Sequence, residues 1–267
     1  MEGSNLKLRD GHIHSPFCPH AASDSMESYV ENALKHELAE MTFTEHMPLP
    51  EYFLEDRKFQ DECATPKDKM MDYFKAAKEI KEKYKDKIKI NVGMEVDFVE
   101  GNEERIVEFL NEYGPYTEDG LLSVHYIKIG DKHIDIDGEK GFKIAVDYYG
   151  SVEKVYDKYY ETLLMAVKYD LGKYKPKRIG HPTLIRTFNK LFPIEYKNYE
   201  LLDKLAKAIK LRDYEVDVNT SGLRKPYCGE IYVSGIFGDL VEKYGIRKVY
   251  GSDSHKSKDV ASDFSNN

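Results

Sequence analysis

Short apolar runs alternate with amphipathic helical segments along almost the whole chain, and this alternation restricts the fold more than any other feature. Apolar runs predict seven strands, at residues 6–14, 41–46, 88–98, 121–127, 178–182, 215–220 and 248–252. Apolar residues at helical spacing predict helices at residues 26–37, 66–84, 103–112, 152–169, 199–210 and 234–244. Ser25 and Thr65 are the predicted caps of the first two helices, and residues 128–141 are a predicted hairpin or loop. Alternating strands and helices predict parallel βα units. A chain of 267 residues without a linker or repeat is normal for one α/β barrel, so a single domain is predicted over residues 1–267.

Nine potential metal ligands lie at the ends of these predicted strands or just after them. They are His12, His14, His20, His46, Glu95, His125, His181, Asp253 and His255. The carboxyl ends of the strands of a βα barrel share one face, so these side chains are expected to converge in one cup. Because a catalytic zinc ion takes about three protein ligands plus water, the set predicts a centre with more than one ion.

Each of these residues also has a simpler interpretation. A single histidine in an apolar strand is usually a hydrogen-bonded core residue, whereas an unpaired carboxylate at Glu95 would be costly to bury and therefore favours a metal. Asp97 shares the strand face of Glu95 and is expected either to bind metal or to support a ligand. Cys18 is interpreted as a packed side chain rather than a soft ligand. The recurrence of ligands at one strand end after another favours the metal site.

The composition limits the partners and the compartment. A net charge of −8 counts against nucleic acid or an anionic membrane as the main partner. No apolar run approaches the roughly 20 residues of a membrane span, and residues 1–10 lack the apolar core of a secretory signal. Three cysteines without close spacing fit a reducing cytoplasm. Mostly polar residues follow His255, so either the barrel ends there or the C-terminus is incomplete, and no oligomeric state is indicated.

The ligand pattern resembles the PHP (polymerase and histidinol phosphatase) family over the whole chain. The resemblance is carried by the HxH of His12 and His14, His20, the TEH ending at His46, Glu95, His125, the GHP around His181 and the DxH of Asp253 and His255. Segments 15–20, 180–186 and 219–226 are similar to the histidinol-phosphate phosphatase branch of that family. The resemblance implies a distorted seven-stranded βα barrel with its active site at the carboxyl ends of the strands.

The resemblance also implies a centre of three divalent metal ions, which would be zinc, manganese or iron. The first ion would be held by His12, His14, Glu95 and Asp253. Glu95 would bridge to a second ion, also held by His125 and His181. The third ion would be held by His20, His46 and His255. Within this set, Glu95, Asp253 and His255 are the predicted catalytic residues.

The implied activity is hydrolysis of L-histidinol phosphate, a small phosphorylated substrate of histidine biosynthesis, by a hydroxide that bridges two ions. Arg186 and Arg224 follow the fifth and sixth predicted strands and are expected to bind the phosphate, because a guanidinium matches phosphate with two hydrogen bonds. The alternative for each arginine is a surface ion pair. Tyr126 and Lys225 are weaker candidates for the substrate site. The alternative functions are a phosphoesterase for nucleotides or oligonucleotide ends and a non-catalytic metal-binding module.

Overall fold

Seven parallel strands form one curved sheet in the structure, a computed structural model that describes residues 9–264. In order across the sheet, the strands are β1 (Arg9–Ile13), β2 (Glu40–His46), β3 (Lys89–Asp97), β4 (Asp119–Ser123), β7 (Arg178–Ile179), β8 (Glu215–Asn219) and β9 (Lys248–Gly251). The remaining strands, β5 (Tyr126–Ile129) and β6 (Lys132–Asp135), pair as an antiparallel hairpin.

The two edges of the seven-stranded sheet approach each other and nearly close it into a barrel. The amide of His14 donates to the carbonyl of Ser254 at 3.0 Å, and the amide of Asp253 donates to the carbonyl of His12 at 2.8 Å. Ile13 and Ser254 form a parallel bridge between these edges. The predicted α/β barrel is therefore confirmed, and the carboxyl ends of its parallel strands meet at one rim.

Helices surround this sheet. They are α1 (Met26–Lys35), α2 (Arg57–Glu62), α3 (Met70–Tyr84), α4 (Glu103–Tyr113), α5 (Glu139–Tyr149), α6 (Val152–Lys168), α7 (Tyr199–Leu211), α8 (Ser221–Arg224) and α9 (Gly235–Lys243). Ser25 caps α1 as predicted, because its hydroxyl accepts from the amide of Ser28 at 3.2 Å. In the part of the chain that the structure describes, none of the helices combines the length and apolar character needed to cross a membrane.

Helix α3 fixes two of the strands that lead to the rim. Its buried face includes Met70, Tyr73 and Phe74. The Tyr73 hydroxyl lies 3.0 Å from the carbonyl of Phe43 in β2 and 2.8 Å from the carbonyl of Gly93 in β3. This contact holds α3 against both strands and restrains the relative positions of their carboxyl ends.

The structure corrects two of the predicted strands. Predicted strand 121–127 is divided, because β4 ends at Ser123 and β5 begins at Tyr126. Apolar spacing continues through the turn between them, so the pattern did not mark the break. Predicted strand 178–182 ends at Ile179, and residues 6–8 of the first predicted strand lie outside the described residues.

Some helix predictions were also incomplete. Helix α3 begins at Met70 after a 3-10 turn at Lys67–Lys69, so Thr65 is not its cap. Helices α2, α5 and α8 were not predicted. Helix α2 has no buried residue and α8 has only four residues, so neither carries the apolar stripe that identifies a helix in sequence.

The barrel interior below the rim is polar. Arg178 is almost completely buried there, and its Nη2 donates to Asp119 Oδ2 at 2.9 Å. The hydroxyl of Thr42 donates to the same carboxylate oxygen at 2.9 Å, and Asn91 Nδ2 donates to Thr42 Oγ1 at 3.3 Å. These residues replace the branched aliphatic layers that usually fill a βα barrel.

Candidate metal centre

The nine predicted ligands lie at the carboxyl-terminal rim of the barrel. Those that line a cavity of about 660 Å³ are His20, His46, Glu95, His125, Asp253 and His255. The other three, His12, His14 and His181, are buried beside them. Residues from six different strand ends therefore meet at the floor of one cavity.

Four donor atoms surround one point at the end of β1. His12 Nε2 lies 3.2 Å from His14 Nε2 and 3.3 Å from Glu95 Oε2, and the last two atoms are 3.4 Å apart. Asp253 Oδ1 lies 3.6 Å from His12 Nε2 and 3.3 Å from His14 Nε2. Ligands at about 2.0–2.2 Å from a tetrahedral zinc ion are about 3.3–3.6 Å apart, so this spacing fits one ion.

The hydrogen bonding of His12 supports a cation at the same point. Its Nδ1–H donates to Asp217 Oδ2 at 2.7 Å, so Nε2 is directed at the other donor atoms. Burial lowers the pKa of His12, but the Asp253, Glu95 and Asp217 carboxylates outweigh burial and raise this pKa to about 10. The position therefore favours a positive charge, which a metal ion supplies in place of a proton.

Glu95 reaches a second group of ligands through its other oxygen. Glu95 Oε1 lies 2.8 Å from His181 Nε2 and 3.9 Å from His125 Nε2. It also accepts a hydrogen bond from the Ser123 hydroxyl at 2.6 Å. Asp97 Oδ1 accepts from His125 Nδ1 at 2.8 Å, so of its two predicted roles Asp97 has the supporting one. Glu95 lies between two groups of ligands, as a bridging carboxylate does.

A third group of imidazoles stacks at the edge of the cavity. The ring centroid of His255 lies 4.0 Å from that of His14 and 4.7 Å from that of His20. His20 Nδ1 donates to the carbonyl of Glu62 at 2.9 Å, which leaves its Nε2 as an acceptor. Among the described residues, neither ring nitrogen of His46 nor Nε2 of His255 has a hydrogen-bond partner. Buried unpaired nitrogens are costly, and a bound ion would satisfy them.

Cys18 lies next to the third group. Its sulfur and one ring nitrogen each of His14, His46 and His255 lie within 4.8 Å of one another. Burial and the nearby Glu45 raise the pKa of the Cys18 thiol to about 12. Because the thiolate is the form that binds metal, this protonated thiol favours the packing interpretation.

The backbone is left-handed at two of the ligands, with φ of 25° at His181 and 52° at Asp253. Non-glycine residues adopt this conformation at a cost that functional sites often retain. Glycine is required beside one of them, because a Cβ at Gly180 would lie 2.0 Å from Ser123 Oγ and 3.5 Å from Glu95 Oε1. Close packing around the two ligand groups therefore explains the glycine of the GHP motif.

Three of the predicted substrate-binding residues line the same cavity. They are Tyr126, Arg224 and Lys225. Arg224 ends α8, and its Nη2 donates to the carbonyl of Ser252 at 2.5 Å, next to the ligand Asp253. Lys225 Nζ lies 3.6 Å from Asp137 Oδ2, and the two side chains form an ion pair. The cationic groups are thus close to the ligands, where an anionic substrate would lie.

Arg186, the fourth predicted substrate-binding residue, contacts a carboxylate instead. It lies in the 3-10 turn Leu184–Phe188 that follows β7. Its Nε and Nη2 donate to the two carboxylate oxygens of Glu230 at 2.7 and 2.8 Å. This carboxylate occupies the Nε–Nη2 edge of the guanidinium, and a phosphate contact for Arg186 stays a prediction.

Asp217 was missed as a candidate site residue. It lies in β8, the strand that supplies no ligand, two positions before Asn219, which donates to Asp217 Oδ2 at 3.1 Å. The signal was present, because a carboxylate inside a buried apolar strand is the same argument that identified Glu95. The sequence did not show that its partner is His12, more than 200 positions away.

The fold and the rim define a class of protein. Clustered imidazoles and carboxylates, several with a ring nitrogen that has no hydrogen-bond partner among the described residues, floor a polar cavity at the active end of a βα barrel. This arrangement is that of a metal-dependent hydrolase of the barrel type.

Comparisons with known proteins specify the class further. A family model described as the PHP domain matches residues 10–221. The histidinol-phosphatase of Bacillus subtilis (strain 168) is 39% identical over 258 residues, which cover 96% of both proteins. The histidinol-phosphatase of Lactococcus lactis is 25% identical and covers 95% of this chain and 86% of its own length. The chain belongs to the PHP family.

Solved structures agree with this assignment. The crystal structure of a candidate histidinol phosphatase, hisK, from Listeria monocytogenes has a TM-score of 0.91 at 35% identity, covering 97% of this chain and 99% of that one. Histidinol phosphate phosphatase from Lactococcus lactis, in complex with zinc, L-histidinol and phosphate, shares the fold with a TM-score of 0.70 at 24% identity and covers 95% and 88% of the two chains.

Proposed function

We propose that the chain is a metal-dependent phosphomonoesterase that hydrolyses L-histidinol phosphate to L-histidinol and phosphate. The observation that carries this proposal is the convergence of nine ligand residues on one cavity, in a chain 39% identical to a histidinol-phosphatase over 96% of its length. The more distant Lactococcus structure supports it, since that protein binds both products of the reaction together with zinc.

We assign the ligands to three ions as the family resemblance implies, with zinc preferred and manganese or iron as alternatives. When bound, such ions lower the pKa of water towards neutrality and neutralise phosphoryl oxygens. Glu95 presents one oxygen to each of two ligand groups, and its burial keeps both oxygens out of competition with solvent. Asp253 and His255 carry their ligand atoms into the cavity, so these three residues are the proposed catalytic ligands.

The walls of the cavity suit the two ends of this substrate. Arg224 and Lys225 lie beside the ligands and would hold the phosphate. Asp135 and Asp137 line the same cavity and are complementary to the ammonium and imidazole groups of histidinol. Phe59 adds an apolar surface for the imidazole ring. These charges of both signs beside the ligands would orient the ester with its phosphorus over the metal centre.

The size of the cavity and the chemistry of the cysteines complete the proposal. A volume of about 660 Å³ is within the usual range of roughly 300–1,000 Å³ for small-molecule sites. All three cysteines are free thiols, as expected for a reducing compartment, so we propose a cytoplasmic enzyme of histidine biosynthesis.

A substrate panel tests the function. Zinc-loaded protein should release phosphate from L-histidinol phosphate with a much higher kcat/KM than from nucleoside monophosphates or oligonucleotide ends. A preference for nucleotides would contradict the substrate assignment, and no phosphate release from any ester by metal-loaded protein would favour a non-catalytic module.

Two variants test the walls of the cavity. Asp137→Asn should raise KM for L-histidinol phosphate but not for p-nitrophenyl phosphate, since that ester has no ammonium or imidazole and the substitution frees Lys225 from Asp137. Arg224→Ala should weaken both substrates, because both contain phosphate. If Asp137→Asn impaired both esters equally, the proposed recognition of histidinol by the acidic wall would be wrong.

A further inference from the structure

Asp217 is a buried carboxylate directly beneath the metal centre. It is fully buried, and its Oδ2 accepts from His12 Nδ1 at 2.7 Å and from Asn219 Nδ2 at 3.1 Å. Its Oδ1 has no hydrogen-bond partner among the described residues. A carboxylate bonded to the far nitrogen of a ligand histidine fixes the tautomer and the ring orientation of that ligand.

Arg178 lies inside the barrel in β7, in register with Glu215 of β8, two positions before Asp217. Only 1% of its side chain is exposed, and its Nη2 donates to the carbonyl of Gly11 at 2.7 Å and to Asp119 Oδ2 at 2.9 Å. Its Nε and Nη1 have no hydrogen-bond partner among the described residues, and Nη1 lies 3.9 Å from Glu215 Oε2. The attraction of Asp119 and Asp217 outweighs burial and raises the pKa of Arg178. Arg178 is therefore a fixed positive charge under Asp217.

Two glycines leave room for this arrangement. A Cβ at Gly251 in β9 would lie 2.1 Å from Asp217 Oδ1 and 2.6 Å from His12 Cβ. A Cβ at Gly11 in β1 would lie 3.3 Å from the guanidinium carbon of Arg178. Strands β9 and β1 are thus shaped to accept a carboxylate and a guanidinium in the barrel interior.

We propose that Asp217 and Arg178 form a positioning pair for the metal centre. Asp217 holds His12 with Nε2 towards the ion, and Arg178 compensates the negative charge of Asp217. This inference rests on the metal centre of the proposed function but not on its substrate. It assigns a role to β8, the one barrel strand that supplies no ligand.

Zinc affinity tests Asp217 separately from phosphatase activity. Competition with a chromophoric chelator should show that Asp217→Asn weakens zinc binding by about 10–100-fold, the usual effect of losing such a partner. Val216→Ala is the matched control, because Val216 is buried in the same strand with its side chain on the opposite face. It should lower the melting temperature and leave zinc affinity unchanged. Parental zinc affinity in a folded Asp217→Asn protein would overturn the proposal.

A double-mutant cycle tests Arg178. Arg178→Met should weaken zinc binding in the parent protein and have a much smaller effect in the Asp217→Asn background, because the two residues act through one interaction. Equal effects of Arg178→Met in the two backgrounds would overturn the pairing.

A spectroscopic measurement on the unsubstituted protein covers the case in which these variants do not fold. In protein labelled with ¹⁵N-histidine and loaded with ¹¹³Cd, His12 should couple to cadmium through Nε2 and carry its proton on Nδ1. Coupling through Nδ1 would overturn the role of Asp217. Since no phosphate ester is involved, failure of this proposal is distinguishable from failure of the substrate assignment.

Discussion

Substitution of Glu95 is the strongest test of a centre with more than one ion. Its Oε2 lies 3.3 Å from His12 Nε2 and also 3.3 Å from His46 Nδ1, and its Oε1 lies 2.8 Å from His181 Nε2. One carboxylate therefore contacts members of all three proposed ligand groups. Glu95→Gln keeps the shape of the side chain and removes its charge, so the substitution isolates the electrostatic part of metal binding.

The magnitude follows from burial. Glu95 is 1% exposed, so the ions that it neutralises are screened little by solvent. Removing one partner of a buried charge pair costs about 3–5 kcal/mol, and each 1.4 kcal/mol is about tenfold in affinity. Glu95→Gln should therefore weaken zinc binding by about 10²–10⁴-fold. The hydrogen bond from the Ser123 hydroxyl, 2.6 Å long, can be kept by the amide oxygen, so the fold should survive.

Chelator competition and zinc content per chain after gel filtration measure this effect. Glu230→Gln is the control, because Glu230 is a partly buried glutamate whose carboxylate accepts from Arg186 and Asn189 and faces none of the nine ligands. The control should lose stability and retain zinc affinity within about tenfold. If Glu95→Gln kept the parental zinc content and affinity, Glu95 would not bridge two ions.

Three further predictions use the metal-free protein and the packing around β9. Zinc binding near pH 8 should release more than one proton per chain, because carboxylates raise the pKa of both His12 and His125 to about 10 against the effect of burial. Calorimetry in buffers of different ionisation enthalpy measures this release, and its absence would contradict the protonation assigned to His12. The pKa values of His12 and His125 are higher in the metal-free fold than in the unfolded chain, so their protonation stabilises the fold fully below the unfolded pKa. This stabilisation should be lost as pH rises through about 10, and the melting temperature should fall. Gly251→Ala should lower zinc affinity without changing any charge, since the added Cβ would lie 2.1 Å from Asp217 Oδ1 and displace it. Unchanged zinc affinity would show that the packing at Gly251 does not position Asp217.

Much of the fold was predictable because each barrel strand is an apolar run bounded by helical segments. The prediction failed where one apolar run serves two elements. Residues 121–127 contain the end of β4 and the start of β5, and only the hydrogen bonds of Asp97 to the amide and ring of His125 reveal the turn between them. Periodicity describes local burial and cannot mark a change of partner strand.

The candidate site was predictable to a different degree. Ligand types at strand ends are a local signal, so their convergence followed from the barrel alone. The residues that orient the ligands depend on contacts between distant strands. Asp217 meets His12 across 205 positions, and Arg186 meets Glu230 across 44. An isolated sequence gives the residue type in such pairs but not the partner, which is why Glu230 was not expected beside Arg186 and Asp217 was not singled out.

The polar interior of the barrel is best understood together with the rim. A barrel filled with aliphatic side chains would place the carboxylates of Glu95, Asp217 and Asp253 over a medium of low dielectric, where their mutual repulsion is strongest. Metal ions supply positive charge from above, and Arg178, held by Asp119, supplies it from below. The lower charge is built into the chain, so the ligands can remain arranged before an ion arrives. A site whose ligands are already arranged binds metal without the free-energy cost of ordering them. We therefore expect substitutions of Asp217 and Arg178 to change zinc affinity more than they change the stability of the fold.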